Sequence, residues 1–140
     1  MNLEHSIDKV QELGRHLPQQ SLPTMSFLLE GMYARQCLIP AGTLFVGREH
    51  KKPHYFICAA GAATVTTESG LKQLRAGMVL MVEPGYKRMG ITTEDTVFIT
   101  VHRTDETDLK NIEDDLVVMD PNSRFGVGNE LLPKELTCAN

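Results

Sequence analysis

The sequence predicts an all-β domain, an antiparallel sandwich or barrel with a short helix at each end. Three observations lead there. From Met32 to His102, short runs rich in Val, Ile, Thr, Phe and Tyr alternate with Gly and Pro punctuation, which is the pattern of closely spaced strands. No segment of helical periodicity interrupts that region, so a parallel sheet built from strand–helix–strand units is not expected. The chain has 140 residues, the length of one domain, and is 41% hydrophobic. That is enough to bury a core without disulfide or metal staples.

The elements follow in order. Leu3, Ile7, Val10 and Leu13 recur at helical spacing, with Gly14 as a stop and Pro18 and Pro23 beyond it. A helix this short is marginal by itself and needs a surface, either its own barrel or a second subunit. The strands read as 32–38, 43–50, 54–59, 62–67, 71–75, 78–82, 86–92 and 96–102. Turn residues separate them, among them Ala41-Gly42, Lys52-Pro53, Gly61, Ser69-Gly70, Ala76-Gly77 and Pro84-Gly85. Thr104 or Asp105 is placed to cap a second helix with the stripe Leu109, Ile112, Leu116 and Val117, ended by Pro121. A tail from Asn122 to Asn140 carries the small apolar group Leu131, Leu132 and Leu136. The organisation is therefore an N-terminal helix and linker over 1–31, a barrel over 32–103, and a C-terminal helix and tail over 104–140.

Composition removes several function classes. Lys and Arg total 14 against 18 Asp and Glu, a formal net charge of −4, which argues against a protein that coats nucleic acid. Cys37, Cys58 and Cys138 form no CxxC pair, so neither a disulfide framework nor a zinc signature is present. Reduced thiols in a cytoplasmic protein are the expectation. Met1 to Val10 carries Glu4 and Asp8 and lacks the apolar stretch of a signal peptide. The longest uncharged run, Tyr55 to Thr67, is too short to span a bilayer, so no membrane partner is expected.

One constellation carries chemistry. His50-Lys51-Lys52-Pro53-His54 joins the end of one expected strand to the start of the next. Arg48 and His50 are two apart and share a strand face, as do His54, Phe56 and Cys58. His102 closes the last strand on the face of Phe98 and Thr100, and Lys87 and Arg88 follow the Pro84-Gly85 turn. Tyr55 and Tyr86 adjoin these segments and are candidates to stack on a ligand ring.

These residues resemble the cupin superfamily. Gly42 to Gly61 matches the spacing of the first cupin motif, with Arg48 and His50 on its two His slots, His54 on its Glu slot and Gly61 as its closing glycine. Gly77 to Arg88 is similar to the second motif, with Pro84 displaced by one position, Arg88 on the His slot and Thr92 on the Asn slot. Gly85–Gly90, Glu94–His102 and Asp105–Leu109 resemble the ending of small cupin-like proteins of tailed phages and prophages. Together the resemblances cover about residues 32–120, and they imply a jelly-roll barrel. They do not imply the family's usual chemistry, because His50 alone keeps its ligand type in its own slot. Arg48 and Arg88 offer donors only and cannot ligate a metal.

Two function classes follow, with a blander third. Arg48, Arg88 and Lys87 beside His50, His54 and His102 suit a phosphate or carboxylate. The first reading is a non-enzymatic binder of a small anionic, phosphorylated or nucleotide-derived ligand; the phage resemblance implies sequestration of a host defence signal in the host cytoplasm. On this reading no stoichiometric cofactor is expected. The alternative is a metal-dependent dioxygenase or isomerase with His50, His54 and His102 around Fe, Mn, Ni or Zn. The third is a structural or virion-associated protein. No catalytic residue is assigned, since the sequence holds no nucleophile elbow, P-loop or dinucleotide fingerprint. The N-terminal helix and apolar tail, as appendages in need of a surface, point to a homodimer.

Overall fold

A computed structural model of the chain describes residues 3–120 together with Ser123, Phe125 and Leu131. Helix α1 (Leu3–Gly14) precedes nine strands and a short helix. The strands are β1 (Thr24–Leu29), β2 (Met32–Ile39), β3 (Leu44–Val46), β4 (His54–Ala60), β5 (Ala62–Thr67), β6 (Gly70–Arg75), β7 (Val79–Val82), β8 (Met89–Thr92) and β9 (Thr96–Arg103), followed by α2 (Ile112–Leu116). One sheet has the order β1-β2-β9-β4-β7 and the other β3-β8-β5-β6. All pairings are antiparallel. The two sheets face each other as an antiparallel jelly roll.

Alternation along the strands builds the core. Ile39, Cys58 and Phe98 point inward from the first sheet and meet Ala63, Val65 and Leu74 from the second, all nearly inaccessible to solvent. Two glycines make the close approaches. Gly61 turns the chain from β4 into β5 at a φ of 80°, and a Cβ there would lie 2.2 Å from the Asp95 carbonyl oxygen. Gly90 lies under the Phe45 ring, where a Cβ would come within 2.6 Å. A second cluster packs Ile112 and Leu116 of α2, with Val117, on Tyr33 of β2.

Several expected elements differ. Thr24–Leu29 is a full edge strand registered along β2, whereas the sequence reading places no strand before Met32. Its Met, Ser and Leu residues carry no strong β preference, so pairing with β2 decides its state. The strand expected over 43–50 stops at Val46. Gly47 donates to the Arg88 carbonyl, and the chain then turns so that His50 bridges to Val117. The strand expected from residue 86 begins at Met89. The second helix starts at Ile112, with Asn111 rather than Thr104 or Asp105 in the capping position. The Thr104 hydroxyl instead donates to Asp115 at 2.7 Å, and Leu109 is left 47% exposed, outside the buried stripe. Cys58 is a buried free thiol. Cys138, Leu132 and Leu136 lie outside the described residues. Among the described residues no helix is long and apolar enough to cross a membrane.

Candidate functional site

The inner face of the five-stranded sheet is ordered in rows by strand register. At one end lie Tyr33, His102, His54 and Val82, on β2, β9, β4 and β7. The next row holds Arg35, Thr100, Phe56 and Leu80. Beyond it come Cys37, Phe98 and Cys58. Successive rows are about 7 Å apart, because side chains return to one face every second residue. Imidazoles thus occupy one end of the barrel, guanidinium groups the middle and apolar side chains the far end.

His50 reaches the imidazole row from the loop after β3. That loop is pinned from outside the barrel: Lys51 N–H donates to the Leu116 carbonyl at 2.8 Å, Val118 N–H to the Glu49 carbonyl at 2.9 Å, and Gly85 N–H to the His50 carbonyl at 3.1 Å. The three rings are close, with centroids 4.1 Å apart for His50 and His54, 4.4 Å for His54 and His102, and 4.8 Å for His50 and His102. His50 Nδ1 lies 2.6 Å from His102 Nε2, and these two planes differ by 8°. A nitrogen-to-nitrogen contact this short between near-parallel rings describes an edge-to-edge hydrogen bond rather than a face stack. His54 Nδ1 is 3.2 Å from the Lys52 carbonyl oxygen. A carbonyl only accepts, so His54 carries its proton on Nδ1 and leaves Nε2 with a lone pair.

Burial sets the charge state. Desolvation, then the charges of His54, His102, Arg35 and Arg48, lowers His50 to about 2. Desolvation, then His54, Arg35 and Lys52, lowers His102 to about 3. Burial also lowers His54, against the opposing bond to Lys52. All three imidazoles are neutral at pH 7 and present lone pairs. Their candidate ligand atoms lie within 4.8 Å of one another. Three neutral imidazoles are a donor set that suits zinc, iron, nickel or copper. A tetrahedral ion with ordinary metal–nitrogen bonds holds its ligand atoms roughly 3.3 Å apart, so the His50–His102 contact would open by roughly 0.7 Å. Side-chain rotation supplies a displacement of that size, and the residues fit a metal.

The arginines divide. Arg48 Nη1 donates to Glu113 of α2 at 3.2 Å, and its Nη2 to the Phe125 carbonyl at 3.4 Å. Lys87 donates to Asp8 at 3.1 Å and to Gln11 at 2.8 Å, which ties α1 to its own barrel. Arg88 places its guanidinium 5.1 Å above the Phe56 ring. Burial pulls Arg88 below the usual arginine range. Arg35 Nη2 and Arg88 Nη1 are buried without a hydrogen-bond partner among the described residues, and so is His102 Nδ1. Both arginines line one cavity of about 1100 Å³ between the sheets, together with His50, His54, Phe45 and Phe98. A second cavity, of about 10 Å³, lies between α2 and the imidazole row, walled by His102, Arg35 and Glu113 among others. It is large enough for one water molecule.

The structure therefore brings His50, His54, Arg88 and Tyr86 to the wall of one cavity, with His102 behind it on the second. Arg48 and Lys87 line the same cavity while bonded to Glu113 of α2 and to Asp8 and Gln11 of α1. Tyr55 lies on the opposite, outward face of β4 and is 52% exposed, so it cannot cover a ligand in the barrel. Arg35 is absent from the sequence reading. Its available signal was a charged residue at an inward register position of a strand, between Tyr33 and Cys37.

The sequence matches no protein-family model and no curated protein. Among solved structures, a cupin superfamily protein from Desulfitobacterium hafniense aligns at a TM-score of 0.53 and 13% identity, over 64% of this chain and 84% of that one. KdgF from a Halomonas species aligns at 0.54 and 12%, over 65% and 87%. The DMSP lyase DddQ from Ruegeria pomeroyi aligns at 0.55 and 18%, over 66% of this chain and 54% of that one. At these identities the likeness is one of fold: the barrel is a cupin-like jelly roll.

Proposed function

We propose that this cupin-like barrel binds a small carboxylated or phosphorylated molecule between Arg35, Arg88 and the imidazoles of His50 and His54, and releases it unchanged. One observation carries the reading: two half-buried guanidinium groups, each with one inaccessible and unpartnered nitrogen among the described residues, line the same cavity. A buried donor left unmade costs about 1–3 kcal/mol, more when charged. Those two nitrogens are closed off from the cavity, so an anion there meets the charge and the remaining N–H donors of both groups. Capture rather than conversion is supported by the sequence, where Arg48 and Arg88, which cannot ligate a metal, occupy slots that the resemblance assigns to ligands. The phage resemblance extends this reading to a nucleotide-derived signal held in the host cytoplasm.

A second reading is favoured by the three-imidazole cluster. His50, His54 and His102 would hold a divalent transition metal, which would supply Lewis-acid or redox chemistry beside the bound anion. The chain's own residues would contribute anion binding through Arg35 and Arg88 and exclusion of water by the Phe56–Phe98 wall.

The deciding experiment incubates the full chain with a nucleotide-containing cell extract, removes free solutes, denatures the protein and analyses what is released. The expected result is one intact anion per chain, lost in Arg35→Met. An altered product in excess of protein would make the metal-dependent reading correct, and release of nothing would refute both.

We also propose a homodimer, assembled through the outer face of the five-stranded sheet rather than through α1, which is already docked on its own barrel. Met25, Phe27, Leu38, Tyr55, Val79 and Met81 share that face and are 42–84% exposed. With the half-buried side chains between them they present on the order of 800 Å², the per-partner area of a standard stable interface. A face almost free of charge can pack on its own copy by two-fold symmetry without repulsion.

A further inference from the structure

The row order inside the barrel says more about the ligand than that it is anionic. Arg35 and Arg88 act at one level. Arg35 sits opposite Thr100, Thr100 sits opposite Phe56, and the Arg88 guanidinium lies over Phe56. The backbones of Arg35 and Phe56 are two strands apart, roughly 10 Å. An anionic head placed over Thr100 is therefore flanked by a guanidinium on each side. One row away on one side it meets His54, with its Nε2 lone pair, and His50.

On the other side the wall changes character. Cys37, Ile39, Phe45 and Phe98 line the same cavity beyond the guanidinium row. Phe98 is the centre of an aromatic group, 4.6 Å from Phe56 and 5.4 Å from Phe45, ring centroid to ring centroid. Gly90 exists in this arrangement to admit the Phe45 ring. The Phe45–Phe98 wall itself offers no donors for hydroxyl groups, and Gln20 and Thr43 of the same lining are bonded to each other, so a sugar pressed against that wall would lose hydrogen bonds to water without replacement. A flat apolar body would instead be buried against it and lose nothing.

Net charge favours a single negative charge on the head. Asp8, Glu12 and Asp120 also line the cavity, and each is in an ion pair with Lys87 or Arg15. Their presence disfavours a dianion more than a monoanion.

Resting on the anion-binding reading above, we infer that the ligand is an amphipathic monocarboxylate, its head between Arg35 and Arg88 and its apolar, preferentially aromatic body on the Phe45–Phe98 wall. Sugar phosphates and nucleotides are then poor ligands, so this inference replaces the nucleotide-derived signal that the phage resemblance implies, and selectivity resides in the aromatic row rather than in the cations.

Isothermal titration of the full chain with acetate, butyrate, hexanoate, 3-phenylpropionate and ribose 5-phosphate tests this. Affinity should rise about fourfold for each methylene buried. From acetate to 3-phenylpropionate the gain should be on the order of a thousandfold, above the roughly 250-fold expected for hexanoate, because ring–ring contact adds to area burial. Ribose 5-phosphate should bind no better than acetate. Arg35→Met should weaken every carboxylate at least tenfold and leave their ratios unchanged. Phe45→Leu should compress the ratio between 3-phenylpropionate and hexanoate without altering acetate, and a far-UV spectrum confirms that it folds. If binding depends on Arg35 but ribose 5-phosphate equals or exceeds 3-phenylpropionate, this inference is overturned and the anion-binding reading stands. If no anion binds in an Arg35-dependent way, the anion-binding reading itself is wrong.

Discussion

The imidazole cluster makes a quantitative statement about stability in acid. His50 and His102 are held neutral by burial, at about 2 and about 3, against about 6.5 in an unfolded chain. The unfolded chain therefore takes up protons first as pH falls. Stability from this source is complete above about pH 6.5 and is lost progressively toward the folded values. Between pH 7.5 and 5 the loss depends almost wholly on the unfolded value, because both folded values lie far below the window. Each imidazole then costs about 2 kcal/mol at pH 5, or about 4 kcal/mol for the two. His54 is lowered as well and adds in the same direction. Carboxylates contribute little there, since they protonate mainly below pH 5. A loss of about 4 kcal/mol is large against the 5–15 kcal/mol of an ordinary domain. The assay is urea unfolding of metal-stripped protein at pH 7.5 and 5.0, with imidazole ¹⁵N shifts recorded in parallel. The midpoint should fall by roughly 2 M urea if the denaturant slope is about 2 kcal/mol/M. The ¹⁵N shifts of His50 and His102 should stay those of neutral rings at pH 5. An unchanged midpoint, or imidazolium shifts for His50 and His102 in the folded protein at pH 5, would refute the reasoning.

Three other predictions concern separate parts of the molecule. Gly61→Ala should destabilise the fold by about 3 kcal/mol or more, since it combines a positive φ with a Cβ set against the Asp95 carbonyl; thermal unfolding reads it directly. Zinc should bind metal-stripped protein at one equivalent per chain and raise its unfolding temperature, and His54→Ala should abolish both effects; absence of saturable binding would remove the metal-dependent reading. Sedimentation at micromolar concentration should give a dimer that Met81→Glu or Phe27→Glu converts to a folded monomer. A dimer that survives both but fails on deletion of residues 1–14 would return the interface to α1.

Strand placement was largely legible because alternation and Gly–Pro punctuation are local properties. Residues 54–59 and 96–102 were read almost to their bounds, and Gly61 was found by motif spacing at a place where only glycine fits. The histidines at 50, 54 and 102 were singled out because two lie four residues apart across an expected turn and the third ends a strand. Their convergence was another matter. It rests on the pairing of His54 with His102 across β4 and β9, and on a loop around His50 held by residues 116–118. Long-range pairing leaves no periodicity in the sequence. The same reason explains the arginines. Arg48 and His50 look alike by alternation, yet the strand ends at Val46 and Arg48 turns to Glu113. Arg35 looks like any charged residue in a half-exposed strand until register puts it opposite Thr100 and inside the barrel. Composition and local pattern thus determined the fold class and the residue types available for chemistry. Which cations lining the cavity are neutralised by acids distant in sequence, as Arg48 and Lys87 are, was decided only when the sheets closed.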